Sequence, residues 1–246
     1  ASAVYGSDAL AGVLDFILTE DFEGLDIGYQ NGFSDEGDGN EYQVDMVLGG
    51  NFAEGRGNTT VYASYYDRES ILQADRSYTR VDAQGGSSTG IAGRLDSISD
   101  NPYPETDDGD GGTTANYAFN PDGTVRGFIN LLPETSDGLG DRYNFAPDNF
   151  LLTPQKRFQL GGLGKFEIND HAEAYAELLY VDSRSEVQLA PTPATSVSVD
   201  LDSPFLSQSA LDLLASRADP TGPVVFRRRM IEIGARSQES DSKLGQ

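Results

Sequence analysis

Several segments of this chain alternate between apolar and polar residues, and this period of two constrains the fold more than any other feature. In residues 41–52 the alternating apolar residues are Tyr42, Val44, Met46 and Leu48. Because successive side chains of a β-strand point to opposite faces, such a segment forms a strand with one apolar and one polar face. The alternation recurs over residues 172–180, where Glu173, Tyr175 and Glu177 share the parity opposite to that of the alanines. The pattern predicts an all-β protein with antiparallel strands.

Six strands are predicted, and the segments between them have very different lengths. The predicted strands cover about 25–33, 41–52, 59–70, 156–168, 172–186 and 224–236. Short turns at 53–58 and 169–172 close two hairpins, whereas long polar connections fill about 71–150 and 187–223. Outer-membrane β-barrels combine short turns on one side with long loops on the other. We also expect a small helix at 207–218, which Ser207 can cap.

The first 33 residues have a different character. Residues 1–11 are rich in small and turn-forming residues around Tyr5-Gly6-Ser7-Asp8, and a short apolar run follows to Leu18. Such a short run, rich in branched and aromatic residues, is typical of a strand rather than a helix. The stretch SAVYGSDALAGVLDFIL resembles the end of the plug domain of TonB-dependent outer-membrane receptors. The residues that carry the resemblance are Tyr5, Gly6, Asp8, Ala11, Gly12 and Val13.

A second stretch resembles a hairpin region of the same receptors. It is YNFAPDNFLLTPQKRFQLGGLGKFEI, residues 143–168. The two resemblances imply that residues 1–19 are the C-terminal end of a plug domain, with the plug motif in a structural role, and that residues 20–246 begin a barrel. The fold class implied is a partial transmembrane antiparallel β-barrel, an open fragment of a barrel of about 22 strands with a plugged lumen. We expect Glu173, Tyr175 and Glu177 to face that lumen.

The family also implies a function and partners. Such a receptor imports a scarce nutrient, such as an iron–siderophore or a saccharide, across the outer membrane of a Gram-negative bacterium, and it is not an enzyme. Its partners would be outer-membrane lipid, lipopolysaccharide, the nutrient itself and TonB, which would bind a box upstream of residue 1. We expect the chain to be a truncated piece that lacks the upstream plug and the later strands. No catalytic residue, cofactor or metal is expected, and the sequence does not identify the substrate-binding residues.

Composition excludes some other classes of protein. The chain has 40 acidic and 17 basic residues and a net charge of −23, whereas a nucleic-acid-binding protein needs a basic surface. It has no cysteine, so disulfides and thiolate chemistry are not available. No apolar run approaches the roughly 18–20 residues that a membrane helix needs.

Four groups of residues allow a second interpretation. The acidic loops at 35–40 and 107–112 have oxygen ligands that calcium prefers, but they lack the EF-hand spacing, so solvated loops are favoured. His171 lies in a predicted turn and is interpreted as a surface residue. In the run Arg227–Arg229, pairing with the plug or with glutamate is favoured over an anion site, because a strand points its middle arginine away from the other two. The loop aromatics could stack on a ligand or pack the loop against itself: Tyr103, Tyr117, Phe119, Tyr143 and Phe145.

A rival hypothesis assigns the chain to a different class of protein. A secreted, acidic, calcium-stabilised β-protein that binds or cleaves polysaccharide would explain the Asp- and Gly-rich loops and the loop aromatics. It would not explain the plug-like motif or the alternation of short turns with long connections. Membrane fractionation separates the two hypotheses, because a receptor remains with the outer membrane and the secreted protein stays soluble.

Overall fold

The computed structural model describes residue 19 and residues 21–245, and these residues form mostly antiparallel β-sheet. The strands are, in chain order, β1 (Gly24–Gly32), β2 (Glu41–Phe52), β3 (Gly57–Arg68), β4 (Ile71–Leu72), β5 (Arg94–Asp96), β6 (Thr106–Asp107), β7 (Thr113–Thr114), β8 (Tyr117–Phe119), β9 (Val125–Gly127), β10 (Phe150–Leu152), β11 (Gln155–Asn169), β12 (Ala172–Leu189), β13 (Pro193–Ser198), β14 (Val225–Arg229) and β15 (Arg236–Gly245). One α-helix, α1, covers Gln208–Ala215. Among the described residues, no helix is long and apolar enough to cross a membrane.

Six strands form one large sheet, which we call the main sheet. Its strand order is β1-β2-β3-β11-β12-β15, and every neighbouring pair is antiparallel. Within the described part of the chain, β1 and β15 each pair with a strand on one side only. The main sheet is therefore open and not closed into a barrel.

Five predicted strands lie within a few residues of β1, β2, β3, β11 and β12. The sixth, predicted over 224–236, differs from the structure. Residues 225–229 form β14, which belongs to a smaller sheet, and the sixth strand of the main sheet is β15, beyond the predicted one. The sequence of β15, RSQESDSKLG, is almost entirely polar, so periodicity could not reveal it. It forms because its backbone N–H and C=O groups pair with those of β12 from Leu189 to Tyr180.

The connections of the main sheet differ strongly between its two ends. At one end, the turn end, β2 and β3 are joined by residues 53–56, and β11 and β12 are joined by Asp170 and His171 alone. At the other, the loop end, residues 33–40, 69–154 and 190–235 make the connections. The turn at 53–56 needs left-handed backbone at Ala53, Glu54 and Gly55, whose φ values are 53°, 60° and 86°.

The two long connections fold together, and we call residues 69–154 and 190–235 the loop subdomain. Its largest sheet has the order β13-β14-β5-β8-β9, so two strands of the second connection lie beside three strands of the first. Phe226 of β14 pairs with Leu95 of β5, which joins the two connections through backbone hydrogen bonds. The buried core beneath this sheet consists of Leu95, Tyr103, Leu213, Leu214 and Val224. These segments were predicted as long loops, and the structure shows a folded unit with its own core.

Helix α1 closes this core and lies within the range predicted for it. The Ser207 hydroxyl oxygen accepts a hydrogen bond from the backbone N–H of Ala210 (3.2 Å), as an N-cap should. Leu213 and Leu214 point into the core. The helix is short, so packing of this apolar side, rather than intrinsic helix propensity, stabilises it.

We predict that Leu95→Ala destabilises the loop subdomain by about 2–5 kcal/mol, because it leaves a cavity at a fully buried position. Hydrogen exchange of the subdomain amides would measure the effect. Leu139→Ala is the matched control, since Leu139 is 61 % exposed, and it should change stability by less than about 0.5 kcal/mol. Equal loss of protection in both variants would contradict the assigned core.

Candidate functional site

The register of the main sheet separates its residues into an apolar face and a polar face. Residues directly opposite each other in antiparallel strands point to the same face. Met46, Ala63 and Leu160 are consecutive partners across β2, β3 and β11. The residues next to these along each strand, Asp45, Ser64 and Gln159, are partners in the same way and point to the other face. The apolar face includes Ile27, Val44, Met46, Leu48, Val61, Ala63, Leu160 and Leu178, and the polar face includes Gln43, Asp45, Thr60, Ser64, Arg157, Gln159, Lys165 and Glu177.

The segment that precedes β1 lies on the polar face near the turn end. Lys165 forms an ion pair with Asp21 (Nζ–Oδ1 2.7 Å), and the Asn58 side-chain amide donates to the carbonyl oxygen of Phe22 (2.9 Å). The amide of Asn51 donates to the carboxylate of Glu23 (2.9 Å). Asn58 and Thr60 are almost completely buried in this region. The chain therefore enters the sheet across its polar face.

Glycine at position 49 allows this close approach. A Cβ atom there would lie 2.3 Å from the Phe22 carbonyl oxygen and 2.9 Å from Oγ1 of Thr60. The neighbouring Gly50 points to the opposite face, where a Cβ atom would meet no atom within 4 Å. Gly49 thus permits the contact between backbone segments, and Gly50 has no comparable role.

The three residues predicted to face a lumen lie on the polar face. Glu177 is opposite Leu163, Tyr175 is opposite Lys165, and Glu173 is opposite Glu167. All three are exposed, and Tyr175 is 83 % exposed. They share this face with the Asp21–Glu23 segment, whereas the expected contact with residues 1–18 lies outside the described residues. The plug-motif residues Tyr5, Gly6, Asp8, Ala11 and Gly12 also lie outside the described part of the chain.

An arginine–tyrosine–glutamate chain lies farther along the polar face, toward the loop end. The Arg157 guanidinium lies 5.9 Å from the centroid of the Tyr66 ring. The Tyr66 hydroxyl donates to Oε2 of Glu41 (2.9 Å). These contacts link β11, β3 and β2 through side chains. They make the loop end of the polar face a charged and hydrogen-bonded surface.

The loop aromatics mainly pack the loop subdomain against itself. Tyr103 is 3 % exposed, and its ring meets that of Tyr117 edge-on at 5.9 Å. Phe119 packs in the same way against Phe226, at 6.1 Å. Burial raises the pKa of Tyr103, which keeps its hydroxyl neutral. Tyr143 and Phe145 lie outside this core, near the boundary with the main sheet.

The three consecutive arginines have separate roles, and the middle one points away from the other two as predicted. Arg227 forms an ion pair with the buried Asp96, which also accepts a hydrogen bond from Arg94 (2.6 Å). Arg228 is paired with Glu232 (2.8 Å) near the surface. Arg229 is 5 % exposed, and its guanidinium lies 5.0 Å from the centroid of the Tyr143 ring. Over the range that the structure describes, Asp and Glu therefore form ion pairs with the first two arginines and not with the third.

One carboxylate in each acidic loop, Asp38 or Asp108, is engaged by several nearby groups. Asp38 accepts two hydrogen bonds from Arg76 (2.5 and 3.0 Å) and one from the Ser34 hydroxyl. Asp108 accepts from the backbone N–H groups of Asp110 and Gly112, both at 2.9 Å. Over the described residues, no group of three or more His, Asp or Glu side chains is arranged to hold a metal ion. His171 occupies the predicted hairpin turn, where its backbone N–H donates to Oδ1 of Asn169 (2.9 Å).

Two features of these surfaces were not predicted from the sequence. One is the contact between the Asp21–Glu23 segment and the polar face, and the other is a cleft lined by Arg229 and Arg236. No protein-family model, curated protein sequence or solved structure matches this chain.

We predict that Gly49→Ala destabilises the protein by about 1–3 kcal/mol, because the new methyl group must displace the Phe22 backbone. Thermal unfolding of the two variants would measure the difference. Gly50→Ala is the control, with an expected change below about 0.5 kcal/mol. Equal stability of the two variants would contradict the docking of Asp21–Glu23 on the polar face.

We also predict a pH-dependent role for Asp38. The hydrogen bonds from Arg76 and then from Ser34 lower its pKa from 3.8 to about 2. A carboxylate with a lowered pKa stabilises the folded state above its unfolded pKa, and this contribution disappears as the pH falls through its folded pKa. Asp38→Asn should therefore reduce thermal stability at pH 7, and the deficit should shrink between pH 3.8 and about 2. Asp35→Asn, in the same loop, is the control. A loss of thermal stability in Asp38→Asn that does not change with pH would refute the ion pair.

Proposed function

We propose that this chain is the N-terminal part of the transmembrane barrel of a TonB-dependent outer-membrane receptor, which imports a scarce nutrient by energy-coupled transport. The observation that carries the proposal is the apolar face of the main sheet, which extends over β1, β2, β3, β11 and the first half of β12. In the structure that face is uncovered: Met46 is 40 % exposed and Leu48 52 % exposed, although both lie on β2, which is paired on both sides. Exposed apolar patches of this kind mark contact with another apolar phase.

The height of the apolar face supports a lipid bilayer as that phase. Along β2 it runs from Tyr42 to Phe52, ten residue steps, which at about 3.4 Å per residue span roughly 34 Å. Strands of transmembrane barrels are tilted by about 35–45°, so this length corresponds to roughly 25 Å across the membrane. That value matches the apolar band of an outer-membrane barrel.

Aromatic residues at both ends of the apolar face support the same interpretation. Near the turn end, the rings of Phe52 and Phe166 stack with their centroids 5.9 Å apart. Toward the loop end, Tyr42 packs against Tyr65 at 5.9 Å. Aromatic girdles occupy both interfaces of outer-membrane barrels, because aromatic rings favour the boundary between hydrocarbon and head groups.

A charged row lies at the level of Tyr42 at the loop end, since Asp67 of β3 and Lys156 of β11 are in register with Tyr42. Lys156 pairs with Asp67 (3.3 Å) on this row, and Arg184 approaches Asp241 (3.7 Å). Charged side chains are costly in the hydrocarbon layer but not in the head-group region, where lipopolysaccharide lies. Aromatic and charged side chains therefore share the loop-end limit of the apolar face, which suits the head-group region of a membrane.

The asymmetry of the two ends gives the chain an orientation. Outer-membrane barrels have short periplasmic turns and long extracellular loops. The turns at 53–56 and 170–171 would then be periplasmic, and the loop subdomain would be extracellular and would contribute to capture of the nutrient. The Asp21–Glu23 segment lies near the turn end on the polar face, which suits a plug that precedes β1 and occupies the lumen.

The open edges of the main sheet support a larger barrel. In lipid, unpaired backbone N–H and C=O groups cannot turn to water, so only a closed sheet is stable there. The edge strands β1 and β15 need further strands on their outer sides. We therefore propose that additional strands complete the barrel, and that TonB acts on a segment upstream of the plug.

Genetic deletion tests the proposed function. The strain that lacks the intact protein should lose growth on one nutrient in a panel of iron–siderophores and oligosaccharides supplied as sole sources. A strain that lacks TonB should lose growth on the same nutrient, because import depends on energy coupling. A defect independent of TonB would contradict the proposal. Recovery of the protein in the soluble extracellular fraction would instead favour the secreted polysaccharide-binding protein.

We predict that Ala63→Arg destabilises the membrane-embedded protein by about 2–4 kcal/mol, because Ala63 lies between Met46 and Leu160 on the apolar face, near its middle. The fraction of folded protein in isolated outer membranes would measure the effect. Ser64→Arg is the matched control, since its neighbours on the polar face are Asp45 and Gln159. Equal tolerance of arginine at both positions would contradict a lipid-facing apolar surface.

A further inference from the structure

A cleft lies where the loop subdomain meets the loop end of the main sheet. Its volume is about 290 Å³. Residues from four separate parts of the chain line it: Ser87, Phe145, Asn149, Leu189, Ala190, Arg229 and Arg236. Leu189 and Arg236 are the paired terminal residues of β12 and β15, so the floor of the cleft belongs to the main sheet. Its other walls belong to the loop subdomain.

The charge of this cleft is opposite to that of the chain. Acidic residues outnumber basic ones by 40 to 17, yet the lining residues include two arginines and no Asp or Glu. Burial lowers the pKa of Arg229, and repulsion by the like charge of Arg236 lowers it further. Two guanidinium groups in one cleft without a lining carboxylate form an electropositive site.

Arg229 is fixed in place but incompletely satisfied. One terminal N–H group, on Nη1, donates to the carbonyl oxygen of Pro191 (2.8 Å), and the guanidinium carbon lies 5.0 Å from the centroid of the Tyr143 ring. Its Nε is buried and has no hydrogen-bond partner among the described residues. Loss of hydration is the main cause of its lowered pKa. A buried cation with an unused donor is costly unless an anion completes its surroundings.

One acidic group that attracts Arg229 is already engaged by another side chain. Asp148 contributes an attraction to Arg229, but its carboxylate accepts the hydroxyl hydrogen of Tyr143. Asp148 does not line the cleft. Among the described residues, Arg236 is likewise held at one atom, since its Nε donates to the Ala190 carbonyl oxygen (2.8 Å). In the described part of the chain, terminal guanidinium N–H groups of both arginines are therefore left to bind a ligand in the cleft, whereas Nε of Arg229 is buried.

Two neutral side chains add donors to the same surface. Oδ1 of Asn149 accepts the backbone N–H of Ala190 (3.0 Å), which orients the side chain and leaves its amide nitrogen to donate. Oγ of Ser87 accepts the N–H of Thr89 (3.2 Å), so its hydroxyl hydrogen is also a donor. Phe145 and Leu189 supply apolar walls. A cleft with apolar walls and a few convergent hydrogen-bond donors is typical of a ligand-binding site.

We propose that this cleft binds a small oxyanion, a carboxylate or phosphate group, between the guanidinium groups of Arg229 and Arg236. Planar guanidinium groups bind carboxylate and phosphate oxygens through paired N–H donors. Asn149 and Ser87 donate to the remaining oxygens, and the apolar walls contact the body of the molecule that carries the anion. The site is defined by these side chains alone and does not rest on the proposed import function.

Calorimetric titration of the intact purified protein tests the site, with sodium phosphate and sodium citrate as probes and sodium chloride at equal ionic strength as the reference. Arg236→Gln should weaken binding about tenfold or more, because it removes a charge-assisted interaction. Arg228→Gln is the matched control, since it removes the same charge from a residue that pairs with Glu232 outside the cleft. It should leave the affinity unchanged.

Arg229→Lys separates binding from folding, because lysine keeps the charge but loses the planar set of donors. A folded Arg229→Lys protein with weakened binding supports the proposal. If this variant fails to fold, the comparison of Arg236→Gln with Arg228→Gln still decides. Binding of phosphate alone or citrate alone supports the site and identifies the oxyanion. No binding beyond the chloride reference, or equal affinity of the Arg236 and Arg228 variants, overturns the proposal.

Discussion

The backbone hydrogen-bond ladder of the main sheet is the constraint on which the other features depend. Each pair of strands must align its donors and acceptors, and the register that results also determines which side chains share a face. A shift of one residue between β2 and β3 would place Asp45 beside Ala63 and would mix polar with apolar residues on both faces. The observed register keeps Met46, Ala63 and Leu160 together, so backbone pairing and side-chain segregation favour the same arrangement.

The same ladder positions the loop subdomain. The first long connection joins β3 to β11, which are neighbours in the main sheet. The second joins β12 to β15, which are also neighbours. Both connections therefore leave the sheet at one end and meet there. The pairing of β5 with β14 joins them, and the core around Leu95 and Val224 stabilises the joined unit. The electropositive cleft exists because this unit lies against the ends of β12 and β15.

The sequence predicted those parts of the fold in which local pattern and long-range packing agree. Alternation identified β2, β11 and β12, because each strand has two chemically different faces. It failed for β15, whose residues are polar on both faces, and for β14, whose apolar residues serve another sheet. The first long connection does contain one local signal for structure. The run Asn120-Pro121-Asp122-Gly123 between short apolar segments is typical of a turn between paired strands, and β8 and β9 pair on either side of it. The Arg229–Arg236 cleft combines four distant segments, so no local pattern could predict it.

Lipid contact of the apolar face is the central claim, and spin-label accessibility along β2 tests it most directly. The chain has no cysteine, so single cysteines introduced at Gln43, Val44, Asp45 and Met46 can each be labelled alone in the intact protein in liposomes. The account predicts that labels at Val44 and Met46 collide with oxygen dissolved in the bilayer. Labels at Gln43 and Asp45 should collide instead with a water-soluble nickel complex. Equal access of the nickel complex to all four positions would contradict a membrane-spanning sheet.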